Sequence, residues 1–273
     1  MGKVRRRLLD RATTSLRLRA LDLRDRAGGR TDRLVPPRRM DFVGHSDFVL
    51  TGEEFLHYFV DLGGLKPGER VLDVGCGIGR MARPLTGYLS AEGSYDGFDI
   101  NREGIGWCRR RYRSHPNFAF RVADLFNARY NPDGAHRAEE YRFPYDDDSV
   151  DFVILTSVLT HLLPEACEHY VAEAARVLAP GGRVFATFFL LNDTSRELIA
   201  QGRSGLAFPD ADAIAAVLDE TVPEEAVAYA DEWVFETLRH HGLELTDIQP
   251  GSWCGREEYL SFQDVVIAEA PRS

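Results

Sequence analysis

The chain has 273 residues, 44% of them hydrophobic, and a formal net charge of −10, which suits one large α/β body with a core of its own. No apolar run approaches the roughly 20 residues that cross a bilayer, and Cys76, Cys108, Cys167 and Cys254 are scattered without a CxxC pair or zinc-type spacing. The charge is unevenly divided: residues 1–40 carry thirteen Lys/Arg against four Asp/Glu (+9), leaving −19 for the rest, and so acidic a body does not suit a nucleic-acid binder. The cysteine usage suits a reducing, cytoplasmic setting. The basic N-terminus has no apolar block behind it, so a secretory signal is not expected.

Taken in order, residues 1–40 are expected to form a basic helical arm, with leucines at helical spacing until Gly28-Gly29 and Pro36-Pro37 end it. Residues 3–39 would either lie over the body or attach to an anionic membrane surface, where each basic residue contributes about 1 kcal/mol. Thr51-Gly52-Glu53-Glu54 has the pattern of a capping box opening a helix with Phe55, Tyr58, Phe59 and Leu62 on its apolar face. A strand/helix alternation follows: strand 70–74, a glycine turn at 75–79, helix 80–90, strand 94–100, helix 102–113 and strand 118–123. Strand 150–157 is apolar enough to be buried on both faces. Helix 164–178 opens at Pro164, strand 183–191 follows, and Pro223 is expected to start a helix running to Gly242. The last two strands, 243–249 and 261–268, are joined by a short loop and should be antiparallel. Residues 127–145 and 192–222 are insertions leaving the carboxyl ends of strands, where an open parallel sheet binds ligands.

The chemistry concentrates in Val71-Leu72-Asp73-Val74-Gly75-Cys76-Gly77-Ile78-Gly79-Arg80. A strand enters a tight glycine turn and a helix follows at once, leaving free backbone N–H groups that favour an anionic ligand group. The spacing is GxGxG with Arg80 in the sixth position, unlike the GxGxxG of a dinucleotide turn. Asp99 ends the second strand, 26 residues after Asp73, where a carboxylate can accept both hydroxyls of a ribose. Asp124 follows the third strand and could accept from an adenine amino group, with Ile100 and Leu125 beside the two acids to sandwich a base. Three acids at three successive strand ends form a set, although any one alone reads as a turn residue or cap.

VLDVGCGIGR, YDGFDIN, RVADLF, DDDSVDFVILTSVLTHL and EAARVLAPGGRVFATFF resemble the successive motifs of class I S-adenosylmethionine-dependent methyltransferases over about residues 70–190. The resemblance implies a doubly wound, Rossmann-like seven-stranded sheet with an antiparallel last strand, one methyltransferase domain over residues 41–273, and S-adenosylmethionine as cofactor. It also implies roles: Asp73, Gly75, Cys76, Gly77, Gly79 and Arg80 around the methionine part, Asp99 and Ile100 at ribose and adenine, Asp124 and Leu125 at the adenine edge, and Thr156 with Ser157 closing the methionine side. The Asn/Asp-Pro-Pro-Tyr motif of members acting on amides or adenine is absent: Leu155-Thr156-Ser157-Val158-Leu159 stands there. A small-molecule or lipid-like acceptor, methylated on oxygen, is therefore expected.

His161, four residues past the fourth strand, is the candidate general base, since imidazole titrates near neutral pH; a loop-packing histidine is the alternative. His45 would lie on a lid or in an ordinary loop, and His240 and His241 would complement a helix dipole. Tyr130, Tyr141, Tyr145, Asn192, Trp253 and Arg256 sit in connections that could shape the acceptor site. No group of His, Cys and acids shows ligand spacing, so no metal is expected. Two other readings fit such a sheet. A nicotinamide-dependent oxidoreductase would show a sixth-position glycine and a Tyr/Lys or His pair, and a non-catalytic S-adenosylmethionine-binding protein would show a decayed glycine turn.

Overall fold

A computed structural model describes residues 32–40, 47–127, 131–209 and 213–272. The bulk of the expected basic arm (residues 1–31), His45 and Tyr130 lie outside the described residues. Where the arm meets the body, Leu34 and Met40 pack on the core, and Arg83 Nε donates to Asp32 Oδ2 at 2.7 Å.

Seven strands form the main sheet: β1 (Arg70–Val74), β2 (Ser94–Asp99), β3 (Phe118–Val122), β4 (Val150–Leu155), β5 (Leu178–Phe188), β9 (Glu244–Gln249) and β10 (Asp264–Glu269). Their order is β3-β2-β1-β4-β5-β10-β9. β10 runs antiparallel between β5 and β9, while β1 to β5 are parallel. This is the doubly wound sheet with an antiparallel last strand that the sequence predicts. The order reverses between β1 and β4, so the chain leaves their carboxyl ends in opposite directions and opens a crevice there.

Helices α1 (Phe48–Asp61), α2 (Ala82–Tyr88), α3 (Arg102–Arg111), α4 (Pro164–Val177), α5 (Asp193–Ala200) and α6 (Asp231–His240) complete the fold. α1 begins earlier than its expected capping box: Asp47 is the cap, accepting from Val49 N and Leu50 N, and Thr51 is already inside the helix. Phe59 of α1 meets Phe185 and Phe152 edge-on at 4.9 and 5.8 Å, fixing the helix against β4 and β5.

Three stretches differ from the sequence reading. The expected fifth strand divides at Phe189, whose ring packs against Phe208, Trp253 and Phe262. Beyond it, β6 (Leu190–Leu191) joins β7 (Ala215–Val217) and β8 (Val227–Ala230) in a second sheet of order β6-β8-β7. The helix expected from Pro223 to Gly242 is instead a 3₁₀ turn (Pro223–Glu225), then β8, then α6. Val227-Ala228-Tyr229-Ala230 is buried at every position, so sheet pairing on both sides overrides its helical composition. The expected helix 102–113 ends as a 3₁₀ turn over Tyr112–Ser114.

Candidate functional site

The crevice at the switch point is a cavity lined by Val74, Gly75 and Gly77 from the first turn and by Phe98, Asp99, Ile100 and Asn101 from the end of β2. Thr156, Ser157, Val158, His161 and Leu162, past β4, form the facing wall. Leu125, Phe126 and Asn127, with Ala138 and Tyr170, close one side.

Gly75 and Gly77 have positive φ (75° and 57°), a conformation that disfavours any side chain. A Cβ on Gly75 would stand 2.3 Å from Val158 Cγ2, so the turns after β1 and β4 touch across the crevice. The first turn is anchored to β2, because Gly75 N and Cys76 N donate to Phe98 O at 2.8 and 3.1 Å.

Asp99 is locked by backbone on both oxygens: Gly77 N donates to Oδ2 at 2.8 Å and Asn101 N to Oδ1 at 2.7 Å. Burial raises its pKa while the backbone N–H groups of Asn101, Gly77 and Ile100 lower it. Each oxygen keeps lone pairs for a ligand. Asn101 then caps α3 by accepting from Gly104 N at 2.8 Å.

Five of the expected cofactor residues do not line the cavity. Asp73 is buried behind the turn, where Tyr95 Oη donates to Oδ2 at 2.6 Å; burial pushes its pKa up to about 7, the Tyr95 bond opposes this, and the Asp99 charge adds to it. The Cys76 side chain points into the core, against Gly97. Gly79 (φ 80°) serves packing: its missing Cβ makes room for Tyr112 Oη and Cys108 Sγ. The Arg80 backbone carbonyl lies against Gly52 of α1. Asp124 pairs with Arg102 at 2.9 Å, which holds its carboxyl below the usual range.

Past β4, Thr156 Oγ1 is enclosed with no hydrogen-bond partner among the described residues. Ser157 has φ 56°, a left-handed conformation costing a side-chain-bearing residue roughly 1–2 kcal/mol. His161 ends a 3₁₀ turn (Leu159–His161), and its Nδ1 lies 3.0 Å from Glu224 O. A carbonyl only accepts, so Nδ1 carries the proton of this bond. Tyr229 of β8 donates to Leu162 O, a tie from the small sheet to this wall.

None of Tyr141, Tyr145, Asn192, Trp253 and Arg256 lines the cavity. Arg256 Nη1 and Trp253 Nε1 bond buried Asp264 at 2.7 and 2.6 Å, and Arg256 Nη2 donates to Asn192 Oδ1, so these residues join the two sheets. Phe126, Asn127, Val158, Leu162 and Tyr170 were missed by sequence reasoning; Phe126 and Asn127 immediately follow Leu125 and were within its reach. Among the described residues, one His/acid group does come together, across 73 residues of sequence: potential ligand atoms of Glu168, His240 and His241 lie within 4.8 Å of one another. None of the three lines the cavity.

Residues 72–186 match a family described as "Methyltransferase domain". The chain is 37% identical over 123 residues to a phthiotriol/phenolphthiotriol dimycocerosates methyltransferase of Mycobacterium tuberculosis, covering 45% of this chain and 37% of that protein. It is 30% identical over 157 residues to a tRNA N(3)-cytidine methyltransferase of Gallus gallus (56% and 38% covered). With a sterol 24-C-methyltransferase of Gibberella zeae it shares 28% over 199 residues (72% and 47%). The chain thus spans less than half the length of these relatives. A solved S-adenosylmethionine-dependent methyltransferase from Methanosarcina mazei superposes with TM-score 0.53 at 21% identity, covering 78% of this chain and 98% of that one.

Proposed function

The chain carries a class I S-adenosylmethionine-dependent methyltransferase domain, and from that premise we propose that it transfers the donor's methyl group to a hydroxyl oxygen of a small-molecule or lipid-like acceptor. The observation that carries this reading is Asp99, with both oxygens fixed by backbone at the mouth of a glycine turn. The neighbouring residues fit the cofactor. Gly75 and Gly77 leave the turn bare, Ile100 and Leu125 offer apolar faces, and the Thr156 hydroxyl is enclosed without a partner; a buried polar atom of that kind calls for a ligand or water.

Asp99 would accept the two ribose hydroxyls, Ile100, Leu125 and Phe126 would enclose the base, and Gly77 and Thr156 would face the methionine end. S-adenosylmethionine, when bound, supplies an electrophilic methyl on a sulfonium, so the protein's tasks are alignment and proton removal. His161 Nε2 would take the acceptor's hydroxyl proton. The wall opposite the donor is largely apolar, with Val158, Leu162 and Phe126, which suits an acceptor with a hydrocarbon body. The phthiotriol dimycocerosates and the sterol in two relatives' names favour this class. The relatives' names differ in acceptor but agree in methyl transfer, so the similarity bears on the transfer before the acceptor. The transfer is assigned to these residues without a metal, since the Glu168/His240/His241 group stands apart from the cavity lining. We further read residues 41–273 as one domain, in which 127–145 and 192–222 supply the acceptor side.

Incubation with methyl-labelled S-adenosylmethionine and a lipid and metabolite extract, followed by identification of the labelled product, tests the reading. Label is expected on the oxygen of a small or lipid-like molecule and should persist after chelation of metals. Label in RNA or protein would overturn the acceptor class, and absence of labelled product together with absence of adenosylhomocysteine would overturn methyl transfer.

A further inference from the structure

We propose that Gln263 is a positioning residue for the methionine end of the donor pocket; this rests on the donor-binding reading above. Gln263 stands immediately before β10 and does not itself line the cavity. Its side-chain carbonyl takes two hydroxyl protons at once, from Ser157 Oγ at 2.9 Å and from Thr187 Oγ1 at 2.5 Å. Thr187, fully buried on β5, thereby orients its remaining lone pair to accept the Ser157 backbone N–H at 2.8 Å. The Gln263 Nε2 adds a longer bond to Thr160 Oγ1, 3.4 Å. The turn after β4 is thus clipped to β5 and to the start of β10, and the clip acts at Ser157, the residue in the left-handed conformation. Such a conformation persists only where its surroundings over-determine it.

The turn presents two groups to the crevice. Thr156, just before Ser157, lines the cavity, and its buried hydroxyl has no partner among the described residues. Val158, just after it, fills the space that a Cβ on Gly75 would need. Any relaxation at Ser157 therefore rotates Thr156 away and presses Val158 on the glycine turn, narrowing the gap the methionine end occupies. The ribose end, built on the Asp99 carboxylate, has no bond to this clip among the described residues and should be indifferent to it.

The test uses the full chain with Gln263→Leu, which keeps volume but removes the acceptor, and Gln263→Glu, whose carboxylate still accepts from both hydroxyls. Calorimetry measures binding of adenosylhomocysteine and of adenosine, which lacks the amino-acid end; melting temperature is recorded in parallel. Gln263→Leu should weaken adenosylhomocysteine about tenfold, the size of one to two hydrogen bonds, and leave adenosine unchanged. Gln263→Glu should stay within about threefold of wild type for both. Wild-type adenosylhomocysteine binding by Gln263→Leu, or equal weakening of both ligands, would overturn the proposal while leaving the donor site standing. If the wild-type chain binds neither ligand, the donor-binding reading falls and takes this inference with it. Should Gln263→Leu fail to fold, Ser157→Ala removes one arm of the clip and should show the same selectivity at smaller size.

Discussion

The two walls of the cavity differ in how far the chain must travel to build them. On the glycine-turn side, which we propose takes the donor, Gly77 N–H meets Asp99 across 22 residues, and Asn101 caps the next helix three residues on. On the facing side, Ser157 is held by Gln263 across 106 residues, His161 by the Glu224 carbonyl across 63, and Leu162 by Tyr229 across 67. The first wall is mostly backbone, shaped by glycines and strand ends. The second is made of side chains whose positions depend on the small sheet and on the approach to β10. A wall of the first kind carries over between proteins that share the strand-turn-helix motif, whereas a wall of the second kind changes with each insertion. On the reading proposed above, the donor site follows the motif and the acceptor site this chain's own insertions.

That division predicts variants that separate the two functions. The largest effect is expected at His161. His161→Gln should lower kcat by about 10²-fold or more, the range for a positioned general base, while adenosylhomocysteine affinity stays within about threefold. Unchanged kcat in the variant would strip His161 of any part in proton transfer and leave alignment as the main source of rate.

Asp99 is the reciprocal case. Asp99→Ala should weaken adenosylhomocysteine by at least about tenfold, since a hydrogen bond to a charged group contributes about 1.5–3 kcal/mol. Gly77 N–H and Asn101 N–H also lose their acceptor, so the turn itself loosens. Saturating donor should restore much of kcat, because the acceptor wall is untouched. Calorimetry that finds wild-type affinity in Asp99→Ala would erase the contrast between the walls.

How far each wall could be read from sequence follows the same division. The doubly wound sheet, the antiparallel last strand, the glycine turn, Asp99, Ile100, Leu125, Thr156 and the approximate place of His161 all lay in local patterns: strand periodicity, glycine spacing and acids at strand ends. Cys76, Gly79 and Arg80 were grouped with the ligand because they share the motif, yet packing decides their places: Gly79 against Tyr112 and Cys108, Cys76 against Gly97. The helix expected at Pro223–Gly242 failed because β8 takes its form from partners 39 and 12 residues upstream (Tyr229 with Leu190, Ala228 with Ala216), and helical spacing within the segment itself says nothing of either pairing. Gln263 gave no signal at all, since a glutamine before a strand is ordinary until Ser157 and Thr187 fold against it.

Asp73 gives the smallest effect and the finest test of the donor wall, because it lies behind that wall. Burial pushes its pKa up to about 7, with the Asp99 charge adding and the Tyr95 hydroxyl opposing. In the unfolded chain an aspartate titrates near 3.9. Between these two values the folded protein holds a proton that the unfolded chain has released. The stability from this group is therefore complete below about pH 4 and is lost as pH rises through about 7. Asp73→Asn removes the titration, and its amide oxygen can still accept from Tyr95 Oη. Melting temperatures of wild type and Asp73→Asn should lie together near pH 4 and diverge by a few degrees by pH 7, with the variant higher. All other carboxylates are common to both proteins and cancel in the difference. Donor affinity should change by less than about threefold, since the Asp73 carboxyl does not reach the cavity. Parallel melting curves from pH 4 to 7 would mean that Asp73 is already ionised in the folded protein, and a large loss of donor affinity would move it from behind the wall into the site.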